Sequence, residues 1–365
     1  MLDRRQLLKF AGIGAGALAV PGIAVAARSA LPETAAATTD IPVGAVPASK
    51  QFDLTGPSEP LLREVKLHET RVLQSFAFDN TRKHAFFVQL VDGGRTLTGE
   101  TRAYTGTERQ ANGDLCLTRL DTDSGLYLGS MYLRGFGHGV QIGVETTASG
   151  SYVWTETKAV QSADSAGVVT GWGSRIARFK FANGTVLTPE SPELTSYALE
   201  SGTDRTTVAL DPSYQRLTVR LRVDGVFKFR LFDLAAFKSG SRTPLAEVTQ
   251  PGELQPGFAD TFQGFTTFGS QLYLLAGTAY GQSGSVAPDG NAFITRIDWN
   301  TGTVTQQKLT KAGYSLLYRE PEGMAIQIPD PASPLTARLC AGFASFTSET
   351  DERKTASVYY KQLLV

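Results

Sequence analysis

The chain has 365 residues, and its 35 basic side chains are balanced by 35 acidic ones. That balance gives no electrostatic case for a nucleic-acid partner, which would need Lys and Arg gathered against a phosphate backbone. Beyond the N-terminal leader no stretch approaches the roughly 18 consecutive apolar residues of a membrane span, so no membrane span is expected.

The first predicted element is an export signal. Residues 1–27, MLDRRQLLKFAGIGAGALAVPGIAVAA, run from a basic start through an apolar Gly/Ala-rich middle to a small-residue pattern at Ala24-Val25-Ala26, the order of a signal peptide. The adjacent Arg4 and Arg5, followed by Gln6-Leu7-Leu8, match a twin-arginine signal. Export by the twin-arginine machinery and a secreted, extracellular location are therefore expected. The GIGAG run at 12–16 belongs to this leader and is no nucleotide fingerprint. Residues 28–50 are rich in Ala, Thr and Pro and lack hydrophobic periodicity, so they read as a low-order linker. Residues 51–365 remain as the folded domain.

From residue 60 onward, alternation with a period of two dominates. HAFFVQLV, GDLCLTRLD, GLYLGSMYL, RIARFKFANG, RLTVRLRVDGVFKFRLF, QLYLLAG, NAFITRIDW and ASVYYKQLLV are strands rather than helices. Asn-Gly at 183–184 and Asp-Gly at 224–225 and 289–290 supply hairpin turns between them. The fold class is all-β. One kind of strand recurs: VLQSFAFD at 72–79, GHGVQIGV at 137–144, RTTVALDP at 205–212, FQGFTTFG at 262–269 and PEGMAIQI at 321–328. Its interval of roughly 55–70 residues is that of propeller blades or slightly longer. A single five-bladed β-propeller is predicted, with the recurring strand innermost and one polar side chain per blade at the mouth of a central channel. Gln74, His138, Thr206 or Thr207, Gln263 and Glu322 are those side chains, and channel water would solvate Glu322. Pairing of an N-terminal strand with the last blade would close the ring and remove its edges. Cys116 and Cys340 are expected as buried free thiols, since twin-arginine substrates fold in the reducing cytoplasm.

The strand starts LQSFAFD, FQGFTTFG and EPEGMAI, with ITRIDWNTG closing a blade, resemble the five-bladed β-propeller shared by phage tail receptor-binding proteins and TagC-like proteins linked to teichoic acid biosynthesis. The resemblance spans residues from about 60 to 365, nearly the whole domain. It implies the fold and, through the phage members, recognition of a bacterial wall glycopolymer. It carries over no catalytic residue.

Candidate chemistry gathers at the predicted mouth. His138, flanked by glycines in GFGHGVQ, could serve as a general acid or base, as half of a metal site, or as a ring bonded between blades. Glu320 and Glu322, two apart, would face one side of a regular strand unless Pro321 displaces Glu320, and Asp79 or Asp260 could supply a partner. His138, Glu322 and Glu320 are thus the catalytic candidates. Gln74, Gln263, Arg319, Tyr318 and Asp79 are the ligand-binding ones, Arg319 because its fork fits a carboxylate or phosphate. Trp154, Trp172, Tyr152 and Tyr280 could stack on sugar rings or pack the blades. No metal-ligand spacing appears and no cofactor is implied, although a channel cation such as Ca²⁺ is left open. The leading expectation is an exported propeller that binds an extracellular polysaccharide or wall glycopolymer. A glycoside hydrolase or polysaccharide lyase is the alternative, and a protein-binding scaffold a third.

Overall fold

The computed structural model describes residues 46–365; the expected leader and residues 28–45 of the expected linker lie outside them. Within them the chain forms five blades, met in sequence order. Blade one comprises Leu73–Asp79, His84–Leu90, Leu115–Asp121 and Tyr127–Leu133, with Val186–Leu187 added outside in parallel. Blade two comprises Gly143–Thr147, the long pair Gly150–Ala163 and Val169–Lys180, and Thr195–Tyr197. Blade three comprises Arg205–Asp211, Arg216–Val223, Val226–Asp233 and Ala246–Thr249; blade four comprises Phe262–Phe268, Gln271–Ala276, Phe293–Asp298 and Val304–Leu309. Blade five takes Leu317–Gln327, Arg338–Phe346 and Thr355–Lys361, and its outer strand is the N-terminal Glu59–Val65. The innermost strands of neighbouring blades touch all the way round, blade five meeting blade one. The two α-helices among the described residues, Gly106–Asn112 and Leu234–Lys238, are short insertions, and no described helix is long and apolar enough to cross a membrane.

Period-two alternation builds the ring because each blade has two faces and each face meets a different neighbour. Phe76 and Phe78 pack into the cluster shared with blade five, while Ala77 between them joins the cluster shared with blade two. Val208 and Ala209 divide in the same way between blades two and four. Each large side chain so buried contributes about 1.5–3 kcal/mol relative to exposure. The ring closes as expected, Glu59–Val65 pairing antiparallel with Thr355–Lys361. Phe52 bridges Leu364, and Val46 and Ser49, inside the expected linker, already bond to Asn300 and Ser270 of blade four. Cys116 and Cys340 are free and buried, in different blades.

Blade two departs from the predicted repeat. The innermost strand begins at Gly143 rather than Gly137, because the N–H groups of His138 and Gly139 go to a side chain instead of a ladder and that of Gly137 goes to Gly113 O. The Glu156 carboxylate accepts from His138 N at 2.9 Å, Gly139 N at 2.6 Å and Gly173 N at 2.6 Å. A Cβ on Gly137 would lie 2.2 Å from this carboxyl group. Gly137 therefore makes room for a buried carboxylate, while a Cβ on Gly139 would meet Val88 instead.

The predicted channel is closed. On the axis a Cβ on Gly264 would fall 2.6 Å from Gly323 Cα, and one on Gly323 2.7 Å from Ser75 Cα. Blades four, five and one thus meet main chain to main chain. Gln141 fills the remaining gap: Nε2 donates to Met324 O at 2.7 Å and Ile142 O at 3.0 Å, and Oε1 accepts from Met324 N at 3.0 Å and Phe265 N at 3.2 Å. One amide ties blade two's inner segment to blades four and five. Replacing Gln141 with Ala removes the partner of two backbone N–H groups and two carbonyls in a buried site, so unfolding free energy should fall by about 2–4 kcal/mol in urea titrations with an unchanged denaturant slope.

Candidate functional site

Above this plug, at the end where the inner strands begin, lies a cavity of about 330 Å³. Gln74, His138, Gln263, Glu320 and Glu322 all line it, so polar groups from blades one, two, four and five meet in one place. The blade-three member does not follow the prediction. Thr206 Oγ1 is turned between blades and donates to Gly173 O and Arg175 O, and Arg205, one residue earlier, reaches the cavity instead.

Arg205 is one of three arginines there, with Arg71 and Arg220, and among the described residues none of the three lies within 4.0 Å of a carboxylate oxygen. They are held by π faces and neutral groups. Arg220, 7% exposed, has Phe227 and Phe262 at 3.6 and 3.8 Å and donates to Gln250 at 2.9 Å. Arg205 lies 4.3 Å from the Trp172 ring, and His138 stands 4.8 Å from that ring. Arg71 donates to Val91 O and Gly106 O. Cation–π contact contributes about 0.5–2 kcal/mol, less than the loss on removing a guanidinium from water without a counter-ion. Burial, then the charges of Arg71 and Arg205, push His138 down to about 4, so the ring is neutral near pH 7.

Glu320 and Glu322 enter from blade five. The strand that carries them is bulged, its register slipping between Leu317 and Glu320 and again between Pro321 and Met324, and both carboxyls face the cavity despite Pro321. Glu322 is 7% and Glu320 4% exposed, against the expectation of solvation by channel water. Burial, then Glu320, pushes Glu322 well above the usual carboxylate range. Burial also raises Glu320, although Tyr318 and Lys354 act in the opposite direction. Lys354 Nζ lies 3.2 Å from the Tyr318 ring centre and 3.4 Å from that of Phe346, and burial lowers it to about 8.

Three expected positions fall elsewhere. Arg319 is fully buried under the rim: positive φ at Tyr318 (73°) and Arg319 (45°) swings it into the blade, where it donates to Ala312 O at 2.8 Å and Thr310 O at 2.7 Å. Tyr318 serves as a face for Lys354. Asp79 stands at the far end of its strand and clasps blade two, accepting from Thr146 at 2.8 Å and Ser151 at 2.5 Å. Asp260, at the mouth, is occupied by Leu254 N and Gln255 N. Trp154 is core, stacked on Tyr197; Tyr152 covers Arg178, and Tyr280 lies beside Arg319. Among the described residues no three His, Cys, Asp or Glu side chains are grouped as a metal ion requires. Sequence reading missed Arg71, Arg205, Arg220, Lys354 and Glu156. A signal for Arg220 was present: in RLTVRLRV the apolar set faces one blade, so the arginines must enter the other interface.

Fold and cavity together define a plugged five-bladed propeller with a charged mouth. Residues 72–336 match the family described as the phage 5-bladed beta propeller receptor binding platform domain, and the chain belongs to that family. It is 28% identical over 288 residues to the "Putative major teichoic acid biosynthesis protein C" of Bacillus subtilis (strain 168), a match that takes in 75% of this chain and 57% of the relative's length. The chain thus spans little more than half of that curated relative. Among solved structures the tail fiber of Staphylococcus aureus phage P68 has the same fold, with a TM-score of 0.58 at 18% identity, over 86% of this chain and 54% of the fiber.

A carboxyl whose folded-state pKa is raised favours folding below its unfolded value near 4.3, and that contribution is lost as pH rises through the folded value. Glu322→Gln should therefore match the parent in stability near pH 4 and exceed it increasingly toward pH 8, read as melting temperature against pH. A constant difference would mean that Glu322 ionises normally.

Proposed function

We propose that the protein is an exported binding propeller whose mouth holds an anionic cell-wall or extracellular glycopolymer of teichoic-acid type. The observation that carries this reading is the set of three arginines, fixed on aromatic faces and carbonyls without a carboxylate partner, around one cavity. Guanidinium groups stay charged at any physiological pH and match phosphate oxygens in bidentate fashion, so an incoming phosphodiester replaces the counter-ion that the fold omits. The family's receptor-binding platform and the teichoic acid relative support the same class of ligand. Gln74, Gln263 and neutral His138 add hydrogen-bonding groups suited to hydroxyls. Residues 1–27 would carry the protein through the twin-arginine machinery to where such polymers lie.

The rival reading, a hydrolase or lyase using His138, Glu320 and Glu322, needs a proton acceptor. An imidazole pushed down to about 4 is a weak one near pH 7, which leaves the raised carboxyls of Glu320 and Glu322 as the groups that reading would use.

The purified protein should be retained on a phosphate-bearing wall polymer and not on its dephosphorylated sugar backbone, with retention falling as salt rises. Arg205→Gln and Arg220→Gln should each weaken retention about tenfold or more. Equal retention on both polymers would sink the proposal, and shortened chains in the eluate would establish the enzyme instead.

A further inference from the structure

Arg205 and Arg220 account for the blade-three side of the cavity and Arg71 enters just ahead of blade one, and the carboxyls of blade five have no role in holding phosphate. Arg205 and Arg220 come from blade three, Glu320 and Glu322 from blade five, and blade four stands between them. Among the described residues neither glutamate has a cation within 4.0 Å. Glu320 is more than nine-tenths buried and its Oε2 has no hydrogen-bond partner. The one amine nearby, Lys354, is drawn onto the faces of Tyr318 and Phe346. The cavity therefore presents arginines without an ion pair on one blade and carboxyls without an ion pair on another, with Asp204 and Glu156 acting on Arg205, and Lys354 on Glu320, only from beyond 4.0 Å.

We propose that Glu320 and Glu322 form a subsite for an ammonium group, so that the mouth selects ligand units carrying both a phosphate ester and an amine. The inference rests on the phosphate reading above and names the ligand class more narrowly. An ammonium supplies the positive charge and the donors that this carboxyl pair lacks, as paired burial of opposite charges requires. Burial raises both carboxyls, and the charge of Glu320 adds to this at Glu322, and a bound cation would relieve both effects. A purely anionic ligand would leave the pair unsatisfied.

Calorimetric titration of the full protein with O-phosphorylethanolamine, glycerol 3-phosphate and ethanolamine separates the two readings. Phosphorylethanolamine should bind about tenfold or more tightly than glycerol 3-phosphate, the range expected of a hydrogen bond between charged groups. Glu320→Gln and Glu322→Gln, alone and combined, should abolish that preference while leaving glycerol 3-phosphate affinity within about twofold, their folding checked by melting temperature. Equal affinity of the parent for the two phosphates, or a preference that survives in the variants, overturns the ammonium subsite and leaves the arginine reading standing. Failure of both phosphates to bind overturns both.

Discussion

Main-chain contact at the axis governs the rest of the molecule. Gly264 against Gly323, and Gly323 against Ser75, let three inner strands approach without side chains between them, and the Gln141 amide satisfies the backbone groups that this closeness leaves unpaired. A buried backbone N–H without a partner costs about 1–3 kcal/mol, so the plug is held by satisfaction of polar groups as much as by packing. The polar side chains of the inner strands are divided by it. Those at the strand starts line the mouth, and those at the strand ends clasp neighbouring blades, as Asp79 does with Thr146 and Ser151 and Asp211 does with Gly269.

The mouth is electrostatically costly for the empty protein. Arg220 is buried between two phenyl rings with a neutral amide as hydrogen-bond partner, and Glu322 is buried beside another carboxyl. Arginines elsewhere in the same chain are held in both ways: Arg109 is fully buried but paired with Glu100 and Asp114, and Arg178 with Glu145, whereas Arg319 is fully buried on the carbonyls of Ala312 and Thr310. What sets Arg71, Arg205 and Arg220 apart is that they line the cavity. Aromatic faces at the mouth hold cations, Trp172 beside Arg205 and Phe227 and Phe262 beside Arg220.

The fold was legible because propeller physics writes itself into local sequence. Each blade repeats a polar start, small residues and an apolar alternation, and both faces of the inner strands of blades one, three and four are buried, so VLQSFAFD, RTTVALDP and FQGFTTFG align with one another. Gln74, Gln263, His138 and Glu322 were found on that register. The rest depended on contacts between distant blades. His138 drew attention through its glycines, but Gly137 leaves space for the distant Glu156 carboxylate and Gly139 lies against Val88. Arg319 looked like a rim arginine because nothing in SLLYREPEG announces two left-handed residues in succession. Arg71 sits just ahead of its recurring segment and Arg205 opens RTTVALDP, at positions where the repeat itself has no consensus to compare.

A plug below and a charged wall above limit how a polymer can be used. It cannot thread the axis, since Gln141 and the glycine contacts fill it, so whatever the cavity holds enters and leaves by one opening. A cavity of about 330 Å³ takes a single repeat unit or a pendant group, not a length of chain. Recognition of a long glycopolymer would then come from many weak, reversible captures of identical units. Effective concentration along the polymer raises the apparent affinity of such captures without new contacts. Arginines already stacked on Phe227, Phe262 and Trp172 would lose little further freedom on each such capture.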